Sequence, residues 1–291
     1  MISTRAGQLL SNGSVVVMPG VYDTLSTLII RQTGFPIGFV SGYSVAASAI
    51  GEPDFGLLTQ TEMLERSRQI CGCIDIPVIV DADTGYGNPL NVMRTVDDLI
   101  RAGAAGCFLE DQVWPKKCGH MRGKKVIDRD EYLHKIRSAF EARDGRDFFI
   151  VARTDALAAV GMDEALARMD GAQAAGADAS FVEAPGTGDH MAEIGRRAPK
   201  PIVANMIEGG KTPVMARDEL GALGFQLIVY PLCGLFAAAR AMRSVYGTLH
   251  ADQTTLNGLD HMLQFDEFND LIGVDRRYAD TERFSGPISG G

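Results

Sequence analysis

The sequence predicts a closed (β/α)8 barrel of the TIM type. Three observations lead there. Short β-branched runs recur eight times, each continuous rather than alternating, as in parallel strands covered on both faces. Longer segments with helical period lie between them. The 291 residues are long for an ordinary domain but normal for one α/β barrel. An open doubly wound sheet is the main competitor, and no G-x-G-x-x-G follows the first run to support a dinucleotide-binding version of it.

In chain order the expected strands are Val15–Met18, Gly38–Ser41, Pro77–Asp81, Gly106–Glu110, Phe148–Arg153, Ser180–Glu183, Pro201–Asn205 and Gln226–Tyr230. Helices are expected over segments such as Thr61–Cys71, Val92–Gly103, Arg129–Arg143, Met162–Gly176 and Arg217–Gly224. Several end in glycine, as helices prefer, and Asp163 and Asp218 stand where N-caps belong. Residues 1–233 are thus assigned to the barrel and 234–291 to a helical extension without strands. A barrel needs only one helix after its last strand, so the surplus is expected to cover a partner subunit.

Composition narrows the function. With 46% hydrophobic and 22% charged residues, the chain can bury a full core. A net charge of −9 argues against nucleic acid or an anionic membrane as the main partner. The five cysteines are an odd number, and Cys71 and Cys73 are too close for an ordinary bridge. No apolar run reaches the length of a membrane span. A reducing, cytoplasmic setting is expected.

In a barrel, function gathers at the C-terminal ends of the strands. Ser41-Gly42-Tyr43, Asp81-Ala82-Asp83, Glu110-Asp111, Arg153-Thr154-Asp155, Glu183 and Asn205 all fall at such ends. Asp81 and Asp83 are spaced to share a strand face, and like charges there repel unless a cation joins them. With Glu110 they form an all-oxygen set, which favours Mg²⁺ or Mn²⁺ over Zn²⁺. Arg153 is a candidate fork for a carboxylate, and Asn205 for an oxygen. Ser41, Gly42 and Tyr43 could cradle an anion, whereas His134, His190, His250 and His261 read as surface residues.

The stretch EDQVWPKKCGHMRGKK, residues 110–125, sets Cys118 among Lys116, Lys117 and His120. No second cysteine lies at metal-binding spacing, so a thiol with a controlled protonation state is expected. The basic neighbours are expected to lower its pKa. Gly119 and Gly123 are expected to let a polar segment, with little to bury, move as a lid.

KKCGH at 116–120 resembles the lyase-branch signature of the isocitrate lyase/phosphoenolpyruvate mutase superfamily. VDADTGYGN, LEDQ, VARTDA, FVEAP and NMIEGG resemble its other motifs, in order, along nearly the whole chain. The mutase and phosphonopyruvate hydrolase branch lacks this cysteine, so the resemblance implies carbon–carbon cleavage. It also implies a modified barrel in a homotetramer whose C-terminal helix swaps between paired subunits. Mg²⁺ would be held directly by Asp83 or Asp81, with Asp54 and Glu110 acting through waters.

SGYSVAAS, PKKCGHMRGK and NMIEGG look closer to the alkylmalate lyases, namely the 2,3-dimethylmalate lyases and the related plant petal death protein. The 2-methylisocitrate lyases usually carry a small residue at the place of Tyr43, and oxaloacetate acetylhydrolases tend to carry Ser at that of Pro231. The implied reaction splits a 2-hydroxy dicarboxylate into pyruvate and a short acid. Cys118 would protonate the departing carbon, and Arg153 with Lys116 or His120 would bind carboxylates. Tyr43 and Glu183 are alternative acceptors of the hydroxyl proton. Oxaloacetate hydrolysis or decarboxylation, 2-methylisocitrate cleavage, and a non-catalytic dicarboxylate-binding barrel are the competing expectations.

Overall fold

The computed structural model describes residues 4–285. Eight strands close into a parallel barrel in sequence order, β1 to β8, with β1 pairing β8. They are β1 Val16–Val21, β2 Gly38–Val40, β3 Val78–Asp81, β4 Gly106–Glu110, β5 Phe149–Thr154, β6 Ala179–Val182, β7 Ile202–Asn205 and β8 Leu227–Tyr230. This is the fold the sequence predicts. β1 continues past Met18 through Pro19 and Gly20, which sequence punctuation would end. Pro19 pairs with Tyr230 and Gly20 with Phe39, so the closing strand stays in register on both sides.

The strands read as continuous apolar runs because both of their faces are buried. Met18, Phe39, Ile79, Phe108, Val151, Phe181, Val203 and Leu227 form one cluster, the barrel filling. Their neighbours Val40, Val80, Cys107, Leu109, Ile150, Val182 and Ala204 belong to a second cluster, packed against helix residues such as Met63, Val96, Ile136 and Met169. Alternation is present in space but invisible in hydropathy.

The helices start where their caps allow. Thr59 and Glu62 form a capping box ahead of Gln60–Cys71, and Asn88 caps Pro89–Arg101, which carries proline in its first turn. Asp163 and Asp218 are not N-caps. Gly161 and Ala216 hold those positions, and the two aspartates lie in the first turns, where they face the positive end of the helix dipole. Thr24–Gln32, capped by Asp23, and Gly188–Arg197, capped by Thr187, complete the ring of outer helices.

The chain divides into two compact units, one ending at Leu235 and the other beginning at Phe236. The second contains most of the helix Cys233–Asp252, a short 3-10 segment and the helices Phe265–Ile272 and Val274–Ser285. None of these three α-helices has a buried residue, and Tyr246, Phe265, Tyr278 and Phe284 are exposed. All five cysteines are free thiols. No helix among the described residues is long and apolar enough to cross a membrane.

Candidate active site

The C-terminal ends of the strands converge on a cavity of about 40 Å³. Its floor is aromatic. Phe39, Phe108 and Phe181 pack in series, the first pair tilted and the second edge to face, with ring centroids 4.8 and 5.5 Å apart. Ser41, Tyr43, Asp54, Asp81, Arg153, Glu183 and Asn205 line its polar walls, with Cys118 and Gly119 above. Leu232, Pro231 and Ile207 supply an apolar side.

β3 ends at Asp81, and Asp83 lies beyond it with φ +48°. The two aspartates therefore do not share a face by strand alternation. A tight turn joins them, in which the Asp83 amide donates to Asp81 Oδ1 at 3.2 Å. Gly42 lets them stand so near β2, since a Cβ there would lie 2.9 Å from Asp81 Oδ2 and 3.5 Å from Asp83 Oδ1. The Ser41 hydroxyl accepts from the Ser44 amide, so it caps the short helix Gly42–Val45 while its residue lines the cavity wall.

The Lys116 ammonium lies 2.5 Å from Asp54 Oδ1 and 2.6 Å from Asp83 Oδ1. Burial alone would lower its pKa, but Asp83 and Asp54 hold it well above the usual range. Burial pushes Asp83 up to about 7 against the pull of Lys116, with Asp81 and Asp54 adding to the rise. Burial likewise raises Glu110 far above an ordinary carboxyl. A cation among these acids would favour the charged forms of Asp83 and Glu110 that burial disfavours. Among the described residues no three acidic, histidine or cysteine side chains already converge as a ligand cage. The donor set still fits a hard divalent cation: it is all oxygen, and Gly42 leaves open the space beside Asp81 and Asp83. Asp81, Asp83, Asp54 and Glu110 are the residues that could hold it.

Arg153 is more heavily engaged than a free fork. Its guanidinium meets Asp155 at 3.0 Å, Glu110 at 3.0 Å and Glu183 at 3.4 Å, over the Phe181 ring. Glu183 also meets His120 Nε2 at 3.2 Å and accepts from Asn205 at 3.2 and 3.3 Å. Burial would raise its carboxyl, but Arg153, His120 and Lys124 overcome this and hold it well below the usual range. The Lys211 amide donates to His120 Nδ1, which directs the other ring nitrogen to Glu183. Asn205 Oδ1 is buried without a partner and belongs to a residue lining the cavity. A ligand donor there would satisfy it.

The loop after β4 folds back over this cavity. Gln112 and Val126 bridge at its base, and the Gln112 amide group contacts Glu110 and the Lys117 carbonyl. The Cys118 amide donates to the Asp54 carbonyl at 3.0 Å. Burial pushes the Cys118 thiol up to about 11, with Asp54 and Glu183 adding to the rise against Arg153 and the backbone. The expected lowering is therefore overturned. Lys116 is committed to Asp54 and Asp83, His120 turns to Glu183, and the Lys117 ammonium sits 5.9 Å from the Phe55 ring. The expectation of little to bury fails as well, since the side chains of Lys116 and Lys124 are 3% and 1% exposed.

Sequence reasoning missed Gln112, Lys124 and the interior roles of Asp111 and Asp155. Glu110 and Gln112 stand two apart after a strand, a signal that could have flagged Gln112. Asp111 is fully buried, holding Arg168, the Thr154 hydroxyl and the Asp155 amide, so it braces the end of β5. His134, His250 and His261 are exposed, whereas His190 is half-buried with an unpartnered Nδ1.

The family model for phosphoenolpyruvate phosphomutase matches residues 7–250. The chain is 52% identical to the chloroplastic carboxyvinyl-carboxyphosphonate phosphorylmutase of Arabidopsis thaliana, across 98% of this chain and 85% of that one. It is 48% identical to the petal death protein of Dianthus caryophyllus, across 97% and 89%. It is 44% identical to the 2,3-dimethylmalate lyase of Eubacterium barkeri, across 94% and 95%. Among solved structures, an oxaloacetate acetylhydrolase bound to 3,3-difluorooxalacetate superposes with a TM-score of 0.91 at 32% identity, across 98% of this chain and 97% of that one. A phosphonopyruvate hydrolase bound to oxalate and Mg²⁺ gives 0.87 at 28% identity, across 98% and 100%.

Proposed function

The chain belongs to the phosphoenolpyruvate phosphomutase family, within the phosphoenolpyruvate mutase/isocitrate lyase superfamily, and on that premise we propose a Mg²⁺-dependent carbon–carbon lyase. Its substrate is a 2-hydroxy dicarboxylate of the alkylmalate type, such as 2,3-dimethylmalate, and its products are pyruvate and a short acid such as propionate. The observation that carries the reading is Cys118: a half-buried thiol lining the cavity, pushed up to about 11 by burial and so protonated at neutral pH. A thiol in that state serves as an acid rather than a nucleophile.

A divalent ion held by Asp81 and Asp83, with Asp54 and Glu110 behind, would make the C2 hydroxyl more acidic. Arg153 and Asn205 orient the substrate's carboxylates and oxygens. The Glu183 carboxylate is ionised but weakly basic, so it would accept the hydroxyl proton only once a bound ion had made that hydroxyl acidic; the Tyr43 phenol, pushed up by burial and then by Cys118 and Asp54, keeps its own. The C2–C3 bond breaks, its electron pair passes to C3 and the adjoining carboxylate, and Cys118 delivers its proton to C3. Leu232, Pro231 and Ile207 supply apolar surface for alkyl groups. The cavity has room for only a few waters, so the loop opens to admit substrate.

The exposed aromatic residues of the C-terminal helices support a homotetramer with exchanged helices, and a cytoplasmic setting completes the proposal. The similarity to an oxaloacetate acetylhydrolase keeps oxaloacetate as a second substrate reading. One experiment separates the readings: pyruvate, oxalate and phosphorylated products are measured with Mg²⁺ across alkylmalates, 2-methylisocitrate, oxaloacetate and phosphonopyruvate. Pyruvate from alkylmalates at the highest kcat/KM is expected. Oxalate from oxaloacetate at a higher kcat/KM would replace the reading, and turnover of none would return the chain to a binding role.

A further inference from the structure

We infer that Lys124 is a latch that ties the closed Cys118 loop to Asp155, the carboxylate that positions Arg153. Lys124 lies in the loop between exposed Gly123 and exposed Lys125, yet its own side chain is 1% exposed. Its ammonium lies 2.5 Å from Asp155 Oδ1 and donates to the Gly119 carbonyl at 2.5 Å. The Gly119 carbonyl is one residue from the thiol. Asp155 is itself fully buried, and its other oxygen takes Arg153 Nε at 3.0 Å. One ammonium thus joins the loop that carries the acid to the carboxylate that restrains the guanidinium.

The physics makes this contact two-state. An ammonium buried without its partner is strongly unfavourable, so Lys124 is either in water with the loop raised or against Asp155 with it closed. With Lys124 in water, Asp155 draws the whole of Arg153's charge. With Lys124 seated, Asp155 is shared: one oxygen takes Lys124 and the other holds Arg153 Nε, which leaves the far end of the guanidinium towards Glu110, Glu183 and the cavity. Gly119 completes the device, because a Cβ there would lie 2.7 Å from the Arg153 guanidinium and 2.3 Å from Glu183. Lys124 acts through Gly119 and Asp155, which makes it a positioning residue. The inference rests on the lyase reading for the role of Cys118, but the contact itself does not.

The test uses the full-length enzyme with Mg²⁺, as parent, Lys124→Gln and Lys124→Arg. Iodoacetamide labelling of the Cys118 peptide is followed by mass spectrometry, with and without pyruvate. Lys124→Gln should label at least ten-fold faster than the parent, lose at least ten-fold in kcat, and show a raised KM. Lys124→Arg keeps the charge and should return labelling and kcat to within about three-fold of the parent. A Lys124→Gln variant within two-fold of the parent overturns the latch, as does equal loss in both variants. Should Lys124→Gln not fold, amine acetylation of the parent decides: Lys124 should react far more slowly than Lys125, and equal rates overturn the proposal. Labelling needs no turnover, so a failed lyase reading shows separately, as no pyruvate formed by the parent.

Discussion

Replacing Gly119 by alanine adds one methyl group where the closed loop has no room. That Cβ would stand 2.3 and 2.5 Å from the Glu183 side chain and 2.7 Å from the Arg153 guanidinium. Carbon atoms at rest sit about 3.5–4.0 Å apart, so the shortfall exceeds roughly 1 Å. Glu183 cannot give way, because Arg153, His120 and Asn205 all hold it. The loop must rise by about that distance and carry Cys118 with it. A displacement of about 1 Å at a reacting group costs on the order of 10²-fold in rate. We expect Gly119→Ala to lose about 10²-fold in kcat for pyruvate release. Its melting temperature should fall as well, since lifting the loop loosens the buried ion pairs of Lys116 and Lys124. A kcat within three-fold of the parent would refute the closed geometry as the catalytic one.

Chelation should abolish turnover, and Mg²⁺ or Mn²⁺ should restore it; full activity in metal-free protein would remove the role of Asp81, Asp83, Asp54 and Glu110. Alkylation of Cys118 in the metal-free protein, taken as the difference between parent and Cys118→Ser, should climb about ten-fold per pH unit from pH 8 towards about 11, because only the thiolate reacts. A plateau by pH 8 would mean a lowered pKa after all. Limited proteolysis should cut between Pro115 and Lys125, and Mg²⁺ with pyruvate should slow that cleavage; equal rates would argue against gating.

The barrel was legible because its physics is local. Each strand is a short apolar run, and its end shows where a polar residue replaces Val or Ile, as at Asp81, Glu110 and Asn205. The two capping errors arose because Asp163 and Asp218 favour the first turn as well as the cap, and only backbone angles separate the two. The candidate site was legible as a set of residues but not as a circuit. Sequence placed three basic groups, Lys116, Lys117 and His120, near Cys118 without telling what each one meets. Those pairings run from Lys116 to Asp54 and from Lys124 to Asp155, across 62 and 31 positions of chain, and from Arg153 to Glu110. Burial, with the basic groups committed elsewhere, reverses the expected direction of the thiol's pKa. Burial of a lysine in a loop that reads as polar has no sequence period to reveal it.

The central claim is that Cys118 supplies the proton to the carbon released by cleavage. Cys118→Ser keeps nearly the same side-chain size but replaces the thiol with a far weaker acid, so the loop still closes. Measured side by side, kcat for pyruvate formation from 2,3-dimethylmalate should fall by about 10²-fold or more, the usual scale for a general acid. The affinity for pyruvate, held through Arg153 and the metal, should stay within about two-fold of the parent. A kcat within a few-fold of the parent, with binding intact, would contradict the account.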